Sequence, residues 1–254
     1  MAEIELLIVG GLGNQLYQFS TALFLAERHD INRITINTGH LAAYRENWGL
    51  ALEKFVDFSK LEVEIRYIDR KHYVRPAKLF KKIGLRYTPL GYIDDTLLSN
   101  TTACSLKNNR YIMDDYFERI PERDEIDQWF LKFFKMDLVR PIEDVCVINV
   151  RGGEYRRLGW TSESQYRDYL EALDQLNLPS STQIELVSDD IDYALRMFSN
   201  RLDFSKVHKP DMYDNFIAIA SARYRVIAPS TFSRWASNIN ASGSITVEIG
   251  RVNV

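Results

Sequence analysis

From its third residue the chain alternates short apolar runs with stripes of apolar side chains spaced three and four apart, and few architectures accept that alternation. "EIELLIV" (3–9) reads as a strand; Leu16, Phe19, Leu23 and Ala26 then recur at helical spacing, and "RITIN" (33–37) reads as the next strand. After a less regular middle the alternation restarts near Asp144. "VCVINVR" (145–151) reads as a buried strand, and Tyr166, Tyr169, Leu170, Leu173 and Leu176 make a helix stripe opened by the capping pair Ser162 and Gln165. "QIELVSD" (183–189) precedes a stripe of Ile191, Leu195 and Phe198; Met212, Phe216, Ile219 and Ala220 form another. "YRVIA" (224–228) precedes a last stripe of Phe232, Trp235, Ala236 and Ile239. Strands alternating with helices imply an α/β fold with parallel sheets. Two such series in 254 residues suggest two lobes, 1–143 and 144–254.

Composition narrows the classes. With 46% hydrophobic and 26% charged residues the chain is globular, and a net charge of -3 gives no global drive toward nucleic acid. No apolar run approaches the roughly 20 residues of a membrane span, and the expectation is a cytosolic protein. Cys146 lies in an apolar run far from Cys104, as a buried thiol would; His29, His40, His72 and His208 show no ligand-like spacing, so no bound metal is expected. The segment 66–86 carries eight Arg and Lys against Asp69, with Leu79, Phe80 and Ile83 among Lys78, Lys81 and Lys82. It suits either a solvated face or an anionic membrane surface holding a lipid-diphosphate-linked acceptor.

In such folds ligands gather beyond the carboxyl ends of the strands, so three strand-to-helix turns matter most. "GGLGNQLYQF" (10–19) lacks the third glycine of a dinucleotide fingerprint, since Leu16 stands there, and "RITIN" ends in Asn37 rather than an acid. Both features argue against a nicotinamide-dependent oxidoreductase. Its glycines permit close backbone approach; Asn14 is either a helix cap or a ligand-facing group. In "NVRGGEYRR" (149–157), Arg151 follows a buried strand and paired glycines leave its guanidinium uncrowded, as an oxyanion clamp requires. In "APSTFSRWASN" (228–238), Ser230 sits at a cap, with Thr231 and Ser233 in the first turn, which makes an anion site.

Together these stretches resemble the inverting fucosyltransferases that include the bacterial α-1,2-fucosyltransferases of glycosyltransferase family 11, with more distant likeness to α-1,6- and protein O-fucosyltransferases. "GGLGNQLYQFSTALFLA" is similar to the family's N-terminal glycine motif, "INVRGGEY" matches its His-x-Arg-Arg-Gly-Asp-Tyr motif in part, and "VIAPSTFSRWASNIN" resembles its Ser-Thr-Phe-Ser-Trp-Trp segment. The resemblance implies a GT-B-like enzyme with two Rossmann-type lobes facing a cleft, the first on the acceptor side and the second binding the nucleotide sugar. It implies transfer of fucose or a related 6-deoxyhexose from a GDP-sugar, without a metal, to a hydroxyl of a bacterial surface glycan such as O-antigen or capsule.

It further implies that Gly11, Gly13 and Asn14 lie at the cleft, that Arg151 meets the diphosphate, and that Ser230 and Thr231 meet its other side. The family's motif His is Asn149 here, its second Arg is Gly152 and its Asp is Glu154; the Asp of a later helix falls at Asn215, beside Asp214. Asn149, Asp214 and Asn215 are therefore the candidates for the base of the donor, with UDP or dTDP as alternatives to GDP. The proton acceptor in the reaction is sought at Glu154 or Glu46. Asp190-Ile191-Asp192 has the Asp-x-Asp form that holds a divalent cation in GT-A enzymes; the other reading is that Ser188, Asp189 and Asp190 cap a helix, where the family carries a Ser/Thr-Asp-Asp element. A non-catalytic glycan-binding protein, stacking sugars on Tyr44, Trp48 and Trp160, is the remaining alternative.

Overall fold

The computed structural model describes residues 2–41, 49–70, 91–95, 98, 110–240 and 243–250. Glu46, Tyr44 and Trp48 lie outside the described residues, as does the basic segment from Lys71 onward. The chain divides into two compact units, Met1–Lys135 and Met136–Val254. The boundary of 143/144 expected from the restart of the apolar pattern falls inside the strand that opens at Ile142, whose first three residues are exposed.

Unit 1 is a parallel five-stranded sheet of β1 (Glu3–Leu7), β2 (Arg33–Asn37), β3 (Glu64–Ile68), β4 (Tyr92–Ile93) and β5 (Arg110–Met113), ordered β3-β2-β1-β5-β4. Helix α1 (Leu12–Arg28) follows β1, and α2 (Leu52–Phe55) and α3 (Arg123–Phe130) are the other α-helices among the described residues of the unit. Alpha1 ends where Asp30 takes a left-handed φ of 53°, which a short polar side chain tolerates, and the Ile31 N–H closes the end by donating to Ala26 O at 2.8 Å. Strands β3, β4 and β5 fall in the middle that showed no regular pattern; β3 is largely exposed and β4 spans two residues, so neither carries a burial signature.

Unit 2 contains β6 (Ile142–Val150), β7 (Gln183–Ser188), β8 (Lys206–Val207), β9 (Ala222–Ile227) and β10 (Ile245–Glu248), all parallel in the order β10-β9-β6-β7-β8. Its helices are α4 (Gly153–Arg157), α5 (Tyr166–Leu176), α6 (Ile191–Phe198), α7 (Met212–Ser221) and α8 (Thr231–Ile239). One correction concerns α6. Leu195, on the expected core stripe, is exposed, and Tyr193, Ala194 and Met197 are buried beside Phe198. The helix opens at Ile191 as the stripe implied, but its buried face runs through positions 193, 194, 197 and 198, which puts Leu195 on the solvent side.

Each sheet reverses its chain order beside its first strand, between β1 and β5 in unit 1 and between β6 and β9 in unit 2. Such a reversal leaves a crevice at the carboxyl ends of the two strands, because their crossovers run to opposite faces. Among the described residues no helix is long and apolar enough to cross a membrane.

Candidate functional site

In unit 2 the turns after β6 and β9 meet at the reversal point. Tyr155, in α4, donates its hydroxyl to Pro229 O at 3.1 Å, and the Ala228 N–H donates to Asn149 O at 3.1 Å. "NVRGGEYRR" and "APSTFSRWASN" are therefore one locus, although 70 residues of sequence lie between them.

Arg151 is not uncrowded, as the sequence suggested. Its Nη1 lies 3.1 Å from Asp189 Oδ2, only 17% of its side chain is exposed, and its guanidinium sits 5.4 Å from the Tyr155 ring centroid. The other oxygen of Asp189 accepts the Gly152 N–H at 2.7 Å. One carboxylate thus orients both the guanidinium and the turn that carries it. Gly152 has no room for a side chain, since a Cβ there would come within 2.4 Å of Asp190 Cβ. The glycine pair serves close packing against the β7 turn rather than openness. The Arg151 Nε is buried and has no hydrogen-bond partner among the described residues, a donor that a native site does not leave orphaned without a reason.

Asp190 caps α6, accepting the Tyr193 N–H at 3.1 Å, and its Oδ2 takes Arg156 Nη1 at 2.9 Å. That is the capping alternative for this aspartate. Among the described residues no group of three His, Cys, Asp or Glu could hold a metal ion.

Asn149 is almost fully buried in β6. Its Oδ1 accepts Ser233 Oγ at 2.5 Å and its Nδ2 donates to Val187 O at 3.5 Å, so its amide bolts β6 to α8 and β7. As a candidate for the base of the donor, Asn149 has one acceptor site and one N–H of its amide committed inside the protein. Ser230 is the N-cap of α8, accepting the Ser233 N–H at 3.1 Å, and the two hydroxyls are 2.6 Å apart and buried. The expected convergence of three hydroxyls on one ligand is therefore reduced, because Ser230 and Ser233 bond inward; Thr231 is half-buried at the helix start. The first turn of α8 retains its N–H groups and the positive end of its dipole. In α7, capped by Asp211, Asp214 is exposed and Asn215 is buried with an Oδ1 that has no partner among the described residues. Glu154 lies exposed in the first turn of α4.

In unit 1 the glycine turn is fastened by two buried glutamines. Gln15 donates to Gly10 O at 3.0 Å and Gly49 O at 2.8 Å and accepts the Ala51 N–H at 3.0 Å; Gln18 accepts the Val9 N–H at 3.0 Å. Gly10 has φ +79°, and a Cβ on it would lie 2.6 Å from Asn14 Nδ2. Gly11 occupies the N-cap position of α1, with Gly13 buried in the first turn, so Asn14 stands inside the helix and is not its cap. The turn passes close over the Asn14 amide, which leaves no room for a side chain at Gly10.

Two structural devices escaped sequence reading. Arg225 is fully buried and donates to the carbonyls of Ala222, Ser237, Ala220 and Asn240, tying the ends of α7 and α8 to β9; burial lowers its pKa to about 10. Arg123 is buried against Asp127 and reaches Thr21 Oγ1 at 2.9 Å and Ser20 Oγ at 2.8 Å in α1; burial raises the Asp127 pKa to about 6. Charged residues in an aromatic-rich helix read as solvent-facing until the neighbouring helix is known.

No family model matches the chain, and no curated protein is similar to it. Solved structures are. NodZ α-1,6-fucosyltransferase co-crystallized with GDP matches at 15% identity and TM-score 0.59, over 92% of this chain and 91% of that one. Fucosyltransferase NodZ from Bradyrhizobium matches at 14% identity and TM-score 0.56, over 92% and 91%. POFUT1 in complex with GDP-fucose matches at 10% identity and TM-score 0.55, over 98% and 97%. The chain therefore has the GT-B-like α/β fold of these proteins, with two Rossmann-type units, as its strand and helix order implied.

Proposed function

We propose that the chain is an inverting glycosyltransferase that moves fucose, or a related 6-deoxyhexose, from a GDP-linked donor to a hydroxyl of a bacterial surface glycan, forming an α-1,2 linkage. The observation that carries this reading is Arg151, pinned by Asp189 at the reversal point of unit 2 with a buried unpaired Nε. The fold shared with structures solved with GDP and GDP-fucose supports the donor class.

The chemistry follows from charge. A departing nucleoside diphosphate develops negative charge, and a fixed guanidinium beside a helix N-terminus stabilises it without reorganising. Arg151 supplies the first and the Ser230–Thr231 end of α8 the second. Asn215 Oδ1 is a buried acceptor with no partner among the described residues and is assigned to one donor on the guanine edge; Asp214, exposed on the next face of the helix, is the alternative carboxylate for that edge. Glu154 is the described carboxylate proposed to take the acceptor proton, and Glu46 the other candidate. Gly11, Gly13 and Asn14 are assigned to the acceptor side. The basic segment 66–86 is assigned to an anionic membrane surface on the cytoplasmic side carrying a lipid-diphosphate-linked acceptor.

The test is a thermal-shift panel with GDP, UDP and dTDP, followed by transfer from GDP-fucose. A ligand that binds only the native state raises the melting temperature by mass action. GDP should give the largest shift. A larger shift with UDP or dTDP would overturn the fucose assignment, and no shift with any nucleotide diphosphate would overturn glycosyl transfer altogether.

A further inference from the structure

Unit 1 contains a cavity of about 610 Å³ at the amino ends of its strands, where α1 finishes and β2 and β3 begin. The glycine turn lies at the other end of the same sheet, after β1. We propose that this cavity is a second ligand site, for a neutral saccharide.

Its size falls within the roughly 300 to 1,000 Å³ of small-molecule sites. Its floor includes Ile31 and Phe133, and its rim carries Asp30, Asn32 and Glu62, all three exposed. Among the described residues neither Asp30 nor Glu62 forms an ion pair. The two lysines at the mouth are already engaged: Lys60 Nζ lies 3.5 Å from Asp57, and Lys132 Nζ lies 3.9 Å from Glu27 and over the Trp129 and Phe133 rings at 4.6 and 4.8 Å.

The lining sorts the ligand classes. A phosphate or nucleotide would meet Glu27, Asp30 and Glu62 together with the negative end of α1, which repels anions. A bare metal ion needs several ligands converging on one point, and no such group occurs among the described residues. A lipid chain gains nothing from a rim of carboxylates and an amide. A saccharide uses all of it: hydroxyls donate to Asp30 and Glu62, the Asn32 amide both donates and accepts, and its C–H groups meet the apolar floor at Ile31. The left-handed Asp30 fixes one of these carboxylates on a closed helix end rather than on a loose loop.

This site is independent of the donor reading, and the test separates the two. Saturation-transfer NMR on the full chain would use maltotriose, chitotriose and globotriose at millimolar concentration, with and without saturating GDP. At least one trisaccharide should bind, its signal should persist with GDP present, and the exposed double variant Asn32→Ala/Glu62→Lys should weaken it at least 5-fold at unchanged melting temperature. Absence of binding by all three, or equal affinity in the double variant, would overturn the proposal. A failure of GDP to bind would count against the donor reading alone.

Discussion

The carboxylate of Asp189 holds the guanidinium of Arg151, with Oδ2 3.1 Å from Nη1, although the two residues come from different strand ends of the unit 2 sheet. The other oxygen holds the Gly152 N–H, so the pair fixes a cation and its backbone together. Preorganisation of this kind is what a site for a multiply charged anion needs, because a guanidinium already oriented loses little freedom when the ligand arrives.

Arg151→Lys should leave the chain folded and remove most of the GDP-induced thermal shift, because an ammonium offers no planar fork to a diphosphate. The expected loss is about 1.5 to 3 kcal/mol of binding, the scale of hydrogen bonds to charged groups. Wild-type GDP affinity in this variant would remove Arg151 from the site.

Gly152→Ala tests the packing of the same turn. The added methyl meets Asp190 Cβ at 2.4 Å, and overpacking of this sort costs about 1 to 3 kcal/mol. Gly250→Ala, which meets nothing within 4 Å, is the matched control. Urea denaturation should separate the two variants; equal midpoints would show that the turn yields freely.

Gln15→Ala removes three hydrogen bonds, to Gly10, Gly49 and Ala51, from a buried position. Backbone groups left unpaired there cost about 1 to 3 kcal/mol each where water cannot reach them. A fall of several degrees in melting temperature is expected, with faster hydrogen exchange at residues 49–51. Unchanged exchange there would sink the role given to this glutamine.

The buried Asp127 predicts a pH dependence. Burial raises its pKa from 3.8 to about 6, against the opposing attraction of Arg123. Between about pH 4 and 6 the native state keeps a proton that the unfolded chain has released, so this group's contribution to stability falls as pH rises through that window. Asp127→Asn does not titrate, and its stability should vary less with pH over the same range. Parallel curves for variant and wild type would refute the shift.

The amino-acid sequence by itself determined most of unit 2. Its central strands β6, β7 and β9 appear as apolar runs, and α5, α7 and α8 carry periodic stripes, so local pattern and tertiary role agree there, though not at Leu195 of α6 or in β8. The turns that matter were legible for the same reason: Arg151 and Ser230 follow strand ends, and Gly10 takes a backbone conformation that side chains resist. Beta3, β4, β8 and β10 were not legible, since exposed or two-residue strands have no apolar run; β5, with only Tyr111 and Met113 buried, is too short to show one.

Only the tertiary structure decided what each polar side chain does. Asn149 bonds to Ser233 and Arg151 to Asp189, where the sequence had them facing a ligand, while Arg225 donates to four carbonyls and Arg123 reaches α1, two roles no local pattern announced. Apolar burial leaves a periodic trace along the chain because it is non-directional and needs only the right face. A hydrogen bond or ion pair is settled by whichever partner lies within about 3 Å in the folded protein, and the partner's distance along the sequence carries no trace of that.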